Sequence, residues 1–144
     1  MSCLEIYIDG ASKGNPGHSG VGIVIYRDGH VLKRISSYIG KATNNIAEYT
    51  ALIYALEEAL LLKAKSLKIN TDSQLLARQI NKVYKVKHAG LIGLYERSVH
   101  LLSGFEKVLV NHIPREENSS ADKLATEAIK KALMSRQNVA ALCK

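Results

Sequence analysis

Residues 4–12 have the sequence Leu-Glu-Ile-Tyr-Ile-Asp-Gly-Ala-Ser, and the predicted sheet begins with them. Polar and apolar residues alternate over residues 4–8, and the apolar ones are branched or aromatic, which predicts a β-strand that ends at Asp9. Residues 10–20 contain four glycines and one proline. That composition predicts a loop whose backbone passes close to another group. We therefore expect Asp9 at the carboxyl end of the first strand.

The rest of the chain predicts a mixed sheet. Residues 21–27 and 31–39 have strand patterns joined by Asp28-Gly29, a strong hairpin signal, so three antiparallel strands come first. Further strands are predicted at 66–70 and 106–113, and helices at about 44–63, 73–80, 91–102 and 121–134, with Asn44 or Asn45 and Asp72 or Ser73 as N-caps. Because a strand–helix–strand crossover joins parallel neighbours, residues 66–70 should lie parallel to the first strand. The predicted class is α/β, a five-stranded mixed sheet flanked by helices.

The composition favours one globular domain over residues 1–144, in which residues 135–144 form either a flexible tail or a docked end. The chain is 47% hydrophobic and 23% charged, which excludes global disorder. Its net charge of +7 suits a polyanionic ligand. Cys3 and Cys143 belong to no metal or redox motif, so two ordinary thiols are expected rather than a bridge. Without a leader pattern or a long apolar run, we expect a cytoplasmic monomer with no membrane association and no obligatory protein partner.

Four acidic residues stand in small-residue or Asn-rich surroundings: Asp9, Glu48, Asp72 and Asp122. Each follows a predicted strand or lies near the beginning of a predicted helix. Two unit charges about 4 Å apart repel by roughly 4 kcal/mol at a surface-like dielectric, so converging carboxylates require a cation. Oxygen ligands select hard divalent ions such as Mg²⁺ or Mn²⁺. The pattern predicts metal-assisted phosphoryl chemistry, although each acid taken singly also fits a turn, a helix dipole or an N-cap.

Four blocks of sequence together resemble type 1 ribonuclease H. They are Ile8-Asp9-Gly10-Ala11-Ser12, Thr43-Asn44-Asn45-Ile46-Ala47-Glu48, Thr71-Asp72-Ser73-Gln74 and Ala121-Asp122-Lys123-Leu124-Ala125. His112 stands ten residues before Asp122, the spacing of the family's mobile-loop histidine. Residues 81–90 form only a short connection and the chain has no Trp. The resemblance is therefore to the short variant that lacks the family's basic protrusion.

The resemblance implies a ribonuclease H fold and an endonuclease that hydrolyses the RNA strand of RNA–DNA hybrids, leaving 5′-phosphate and 3′-hydroxyl ends. Asp9, Glu48, Asp72 and Asp122 would hold two divalent ions, Mg²⁺ or Mn²⁺, and His112 would assist proton movement or product release. The predicted substrate-binding residues are Gly10, Ala11, Ser12, Asn15, Thr43, Asn44, Asn45 and Gln74, with Lys82, Lys85 and Lys87 replacing the protrusion. Asn15 and Thr43 resemble the family's pocket for a DNA phosphate. Contacts to backbone predict little sequence preference and a steep salt dependence.

Other functions stay open at this point. A module that binds hybrids or double-stranded RNA without cutting would be expected if one of the four acids were missing. A nuclease of the same fold acting on DNA would depart from the Asn-rich block at 43–45 and from Gly10-Ala11-Ser12, which favour contacts with 2′-hydroxyl groups. The absence of the protrusion neither supports nor excludes activity on double-stranded RNA.

Overall fold

The computed structural model describes residues 3–143 and contains a five-stranded mixed sheet. Its elements are β1 (Cys3–Gly14), β2 (Gly17–Arg27), β3 (His30–Ala42), α1 (Asn44–Leu61), β4 (Ser66–Thr71), α2 (Gln74–Ile80), α3 (Ala89–Leu102), β5 (Lys107–His112), a 3-10 turn (Arg115–Glu117) and α4 (Ser119–Leu142). The strand order is β3-β2-β1-β4-β5, in which β1, β2 and β3 pair antiparallel and β1, β4 and β5 pair parallel. The predicted α/β class and the mixed sheet are confirmed.

The first strand is longer than the sequence predicts. β1 continues past Asp9 to Gly14 and pairs with β2, which begins at Gly17, so the predicted loop over residues 10–20 is wrong. Asp9 consequently lies inside a strand rather than at its end. The pattern misled because glycine is selected wherever another chain segment comes very close, and not only in loops.

Two glycines in the sheet make room for helices on its opposite faces. A Cβ atom on Gly10 would lie 2.3 Å from the Ala47 carbonyl carbon of α1. A Cβ atom on Gly22 would lie 1.9 Å from the Ala121 carbonyl oxygen of α4. Side chains at these two positions would hold the helices away from the strands. The close approach brings the first turns of α1 and α4 to the middle of β1.

The core lies between the sheet and α1. Ile6 and Ile8 on β1 pack with Leu52 and Leu56 on α1, and all four side chains are fully buried. Burying such a side chain contributes about 1.5–3 kcal/mol relative to exposing it. The alternation in residues 4–8 places Ile6 and Ile8 on the face covered by α1, so the strand pattern and the core agree.

Several element boundaries differ from the prediction. Thr43, and not Asn44 or Asn45, caps α1, because its Oγ1 accepts the Ile46 N–H at 3.2 Å. Ser73 caps α2 through its Oγ, which accepts the Leu76 N–H at 3.1 Å. The predicted last helix, residues 121–134, is too short at both ends, since α4 begins at Ser119 and runs to Leu142.

The remaining structural predictions concern the C-terminal residues, the two cysteines and membrane association. Residues 135–142 continue α4, and Lys144, the last residue of the predicted tail, lies outside the described residues. Cys3 and Cys143 are exposed free thiols, as expected. Within residues 3–143, no helix is long and apolar enough to span a membrane.

Candidate active site

The parallel pairing of β1 and β4 brings two acids side by side. Ile8 is the register partner of Thr71, so the residues that follow them, Asp9 and Asp72, are neighbours. Glu48 reaches the same point from α1. Carboxylate oxygens of Asp9, Glu48 and Asp72 all lie within 4.8 Å of one another. We call these three residues the acid cluster.

The side chain of Glu48 is held in place by the strand beneath it. The Gly10 N–H donates to Glu48 Oε1 at 2.6 Å, and both residues line the same cavity. This contact needs the close approach of α1 to β1 that a glycine at position 10 permits. Gly10 was predicted to meet nucleic acid, whereas the space beside its Cα is filled by α1. The glycine thus builds the site as well as lining it.

The fourth predicted acid lies on the wall of the same cavity. A cavity of about 490 Å³, which we call the acid cavity, contains the acid cluster and Asp122. Asp122 comes from the first turn of α4, which Gly22 allows to lie close to the sheet. The other lining residues are Gly10, Ala11, Ser12, Asn44, Arg115 and Thr126. Asp122 lies beside Asp9 in this cavity, where a hydrogen bond between the two side chains contributes to the raised pKa of Asp9.

Burial and mutual repulsion disfavour the charged forms of two of these acids. Burial, then the Glu48 and Asp72 carboxylates, raise the pKa of Asp9 from 3.8 to about 9, and Asp122 adds to the rise. Burial also raises the pKa of Glu48 from 4.5 to about 8, against the opposing effects of the Gly10 N–H and Arg115. Without a cation, the environments of Asp9 and Glu48 therefore favour their protonated forms. An all-oxygen donor set under this repulsion fits a divalent cation.

Asn118 connects the acid cluster to β1. This residue is only 1% exposed, and its Nδ2 donates to the Ile8 carbonyl oxygen at 2.8 Å and to Asp72 Oδ2 at 3.2 Å. Because both partners are acceptors, the orientation of the amide is determined. Its Oδ1 is buried and has no hydrogen-bond partner among residues 3–143. Asn118 lies between the strand predicted at 106–113 and the helix predicted at 121–134, and no role was predicted for it.

The segment between β5 and α4 contributes a cation that sequence analysis missed. Arg115 begins the 3-10 turn, lines the acid cavity and lowers the pKa of Glu48 through its charge. His112 is exposed at the end of β5, next to Thr71 in the register of β4, and the acid cavity is lined by other residues. Nothing in the sequence separated Arg115 from its polar neighbours, because its place on the wall of the acid cavity depends on how distant segments pack together.

A second cavity adjoins the beginning of α1 on its other side. This cavity of about 420 Å³, which we call the basic cavity, includes Asn15, Thr43 and Asn45 as well as Lys85 and Lys87. The Asn44 N–H donates to Asn15 Oδ1 at 3.0 Å, which ties the β1–β2 hairpin to the beginning of α1. Five predicted substrate-binding residues therefore share one cavity. They come from three separate segments of the chain.

His88 also lines the basic cavity and was not predicted; the other lining residues are Ile46, Leu75, Gln79 and Leu91. Its Nδ1 accepts the Gly90 N–H at 3.1 Å at the beginning of α3. A neutral ring with Nδ1 as acceptor carries its proton on Nε2, which is then a donor. The connection that carries Lys85 is fixed by Gln79, whose Oε1 accepts the Tyr49 hydroxyl at 2.6 Å and whose Nε2 lies 3.5 Å from the Lys85 carbonyl oxygen.

Two predicted residues lie apart from these cavities. Lys82 lines a separate depression with Tyr84 and Tyr95, which adjoins the basic cavity through Lys85. Gln74 is exposed at the beginning of α2, two residues after Asp72. Sequence spacing treated the three lysines as one group, and the turns of residues 81–88 direct Lys82 elsewhere.

Comparison with known proteins identifies the family. A family model described as reverse transcriptase-like matches residues 7–128. Ribonuclease HI of Halobacterium salinarum is 40% identical over 127 residues, which cover 88% of this chain and 64% of that protein. The crystal structure of RNase H1 from the same organism has a TM-score of 0.88 at 39% identity, covering 90% of this chain and 99% of that one. The chain belongs to the type 1 ribonuclease H family.

The chain spans very different shares of two other relatives. It is 40% identical over 134 residues to a bifunctional protein of Mycobacterium tuberculosis, which covers 92% of this chain and 37% of that protein. LC11-RNase H1, solved in complex with an RNA/DNA hybrid, has a TM-score of 0.86 at 41% identity, covering 90% of this chain and 99% of that one. As predicted for the short ribonuclease H variant, α2 and α3 are joined by residues 81–88 without a further helix.

Proposed function

We propose that this protein is an endoribonuclease that hydrolyses the RNA strand of RNA–DNA hybrids and leaves 5′-phosphate and 3′-hydroxyl ends. The acid cluster carries the proposal, because three carboxylates within 4.8 Å of one another on a ribonuclease H fold suit metal-assisted phosphoryl chemistry. LC11-RNase H1 has been solved with an RNA/DNA hybrid. That relative supports the same class of substrate here.

The cofactor proposed for this site is a pair of divalent ions, Mg²⁺ or Mn²⁺, held by Asp9, Glu48, Asp72 and Asp122. When bound, such ions activate water and stabilise the leaving oxygen of an in-line displacement. The geometry of the acids supports this role, since Asp9 and Glu48 have raised pKa values that a cation would lower again. Carboxyl groups whose pKa is raised in the metal-free site release protons when metal binds.

The remaining residues of the acid cavity hold the acids and balance charge. The Gly10 N–H fixes one oxygen of Glu48, and Asn118 Nδ2 fixes one oxygen of Asp72. Arg115 provides a positive charge on the cavity wall, where negative charge develops on a phosphate during displacement. His112 is proposed to take up and release a proton through its imidazole ring at the edge of the site.

The two cavities support binding of both strands of a hybrid. Asn44 lines the acid cavity and its neighbour Asn45 lines the basic cavity, so the beginning of α1 separates the two. We propose that the RNA strand lies on the acid cavity, where Ala11 and Ser12 approach its 2′-hydroxyl groups. The DNA strand then lies on the basic cavity. The amide N–H groups at the beginning of α1 favour phosphates of either strand.

The basic cavity has the donors that a DNA phosphate needs. Thr43 and Asn15 offer a hydroxyl and an amide, Lys85 and Lys87 offer positive charge, and His88 offers Nε2. None of these groups reads a base edge in the major groove, which supports cleavage with little sequence preference. Exposed lysines meeting phosphates predict binding that weakens with salt.

A direct assay tests the proposal. Duplexes of RNA–DNA, RNA–RNA and DNA–DNA with the same sequence and a label on each strand are incubated with Mg²⁺, Mn²⁺ or a chelator. We expect cleavage of the RNA strand of the hybrid only with metal, and 5′-phosphate ends on the products. A hybrid that is bound but left intact would favour a non-cleaving module, and cleavage of the DNA duplex would contradict the assignment.

The RNA–RNA arm of the same assay decides whether the protein also cleaves double-stranded RNA. Because the chain spans 37% of the Mycobacterium tuberculosis relative, the assay concerns the described domain. A monomeric state and a cytoplasmic location stay predictions from the sequence.

A further inference from the structure

A groove next to the acid cavity has no role in the function proposed above. It is a cavity of about 540 Å³ between residues 11–13 of β1 and the face of α4 from Thr126 to Gln137, and we call it the α4 groove. Ala11, Ser12 and Thr126 line both the α4 groove and the acid cavity. The two spaces therefore adjoin, and a polymer bound at the acids can continue into the groove.

The chemistry of the α4 groove combines an apolar floor with basic rims. Ile129, Leu133 and Met134 form the floor, and Met134 is 53% exposed although it is a large apolar side chain. Lys13 on β1 and Lys130 on α4 are exposed on its two sides. No acidic residue lines the groove within the described part of the chain. Its charge complements a polyanion, and its floor offers contact to a flat apolar surface.

We propose that the α4 groove binds unpaired nucleotides of the RNA strand where this strand extends beyond the hybrid. The inference rests on the proposed function, which puts the RNA strand on the acid cavity that the groove adjoins. In a duplex the base faces are stacked against each other, so an apolar floor has nothing to bind. An unpaired nucleotide offers a free base face to Leu133 and Met134, and its phosphates meet Lys13 and Lys130.

The experiment compares one hybrid in four extended forms with the same hybrid blunt. The extensions are single-stranded and of equal length, at the 5′ or 3′ end of the RNA strand or of the DNA strand. Dissociation constants are measured by fluorescence anisotropy in Ca²⁺, and initial rates on the blunt hybrid are measured in Mg²⁺. Two exposed lysine–phosphate pairs correspond to about fivefold tighter binding for one of the two RNA extensions.

Matched variants on one helix make the test specific. Lys13→Ala combined with Lys130→Ala should bring the ratio of blunt to extended dissociation constants down to about one. Met134→Ser should lower this ratio in part, because the floor loses apolar area. Lys131→Ala is the control, since Lys131 is exposed on α4, carries the same charge and does not line the groove. It should keep the full ratio.

Three results would overturn the inference: no gain from either RNA extension, an equal gain from a DNA extension, or a gain that survives the double lysine variant. The rates on the blunt hybrid test the proposed function separately. If the blunt hybrid is bound but not cut, the cleavage proposal fails while the anisotropy ratios still decide the groove.

Discussion

Replacing Asp9 with Asn should stabilise the metal-free protein at neutral pH while removing its activity. Asp9 is 5% exposed, and burial together with Glu48 and Asp72 raises its pKa from 3.8 to about 9. In the unfolded chain the carboxyl is ionised at pH 7, so folding requires it to bind a proton. Between the unfolded pKa of 3.8 and pH 7, this proton uptake lowers the free energy of unfolding by up to about 4 kcal/mol, at about 1.4 kcal/mol per pH unit.

The expected gain for Asp9→Asn is smaller than this limit, because water entering the cavity and small movements of the acids relieve part of the repulsion. We expect about 2 kcal/mol at pH 7 in chelator, or a rise in Tm of about 5 °C for a domain of this size. When the pKa of a group is raised on folding, the folded protein loses stability as the pH rises from the unfolded-state pKa to the folded-state pKa. The advantage of the variant should therefore be near zero below about pH 4 and grow toward about pH 9.

The assay is chemical denaturation of both proteins in chelator at several pH values from about 5 to about 8, repeated with saturating Mg²⁺. With Mg²⁺ the order should reverse, because ligand binding stabilises the folded wild type and the variant lacks one metal ligand. Asp28→Asn is the control, since Asp28 lies exposed in the β2–β3 turn at φ 52°, a conformation that Asn tolerates. The reasoning is refuted if Asp9→Asn is less stable than wild type in chelator at pH 7, or if the difference does not change with pH.

Three further predictions concern the residues around the acids. Asn118→Ala should lower the free energy of unfolding by about 1–3 kcal/mol, because the Ile8 carbonyl and Asp72 lose their donor. The same change should raise the Mg²⁺ concentration for half-maximal activity about tenfold. An unchanged Mg²⁺ requirement in titrations would mean that Asn118 only supports the fold. His112→Ala should lower kcat by about 10²-fold without abolishing cleavage, and steady-state rates equal to wild type would exclude it from the reaction. Lys85→Ala with Lys87→Ala should raise KM about fivefold and flatten its salt dependence, whereas Lys82→Ala, outside the basic cavity, should have a smaller effect. If Lys82→Ala raises KM as much as the double variant does, the basic cavity does not hold the phosphate.

Local pattern was sufficient for much of the architecture. Alternation in residues 4–8, the Asp28-Gly29 turn and the helical periodicities predicted the order of the elements, and the crossover rule predicted that β4 lies parallel to β1. These features depend on neighbours in sequence, which is why they are visible there. Parallel pairing also makes Asp9 and Asp72 neighbours, because each follows one of the register partners Ile8 and Thr71.

The glycines show where local pattern fails. Gly10 follows Asp9 in β1, and Gly22 is the register partner of Asp9 in β2. Their role is to let α1 and α4 lie close to the sheet. The sequence does not distinguish a glycine that avoids a clash with a distant helix from a glycine in a loop. Only the packed structure tells them apart.

The sequence by itself determined the class of fold, the family resemblance and the four candidate acids. Packing of the helices against the sheet brings Asp9, Glu48 and Asp72 into a tight cluster, places Asp122 beside Asp9 in the same cavity, and adds Arg115 and Asn118 to the site. The physical reason is that repulsion, burial and hydrogen bonding depend on separations of a few ångströms between segments far apart in the chain. Those distances exist only after the helices have packed against the sheet.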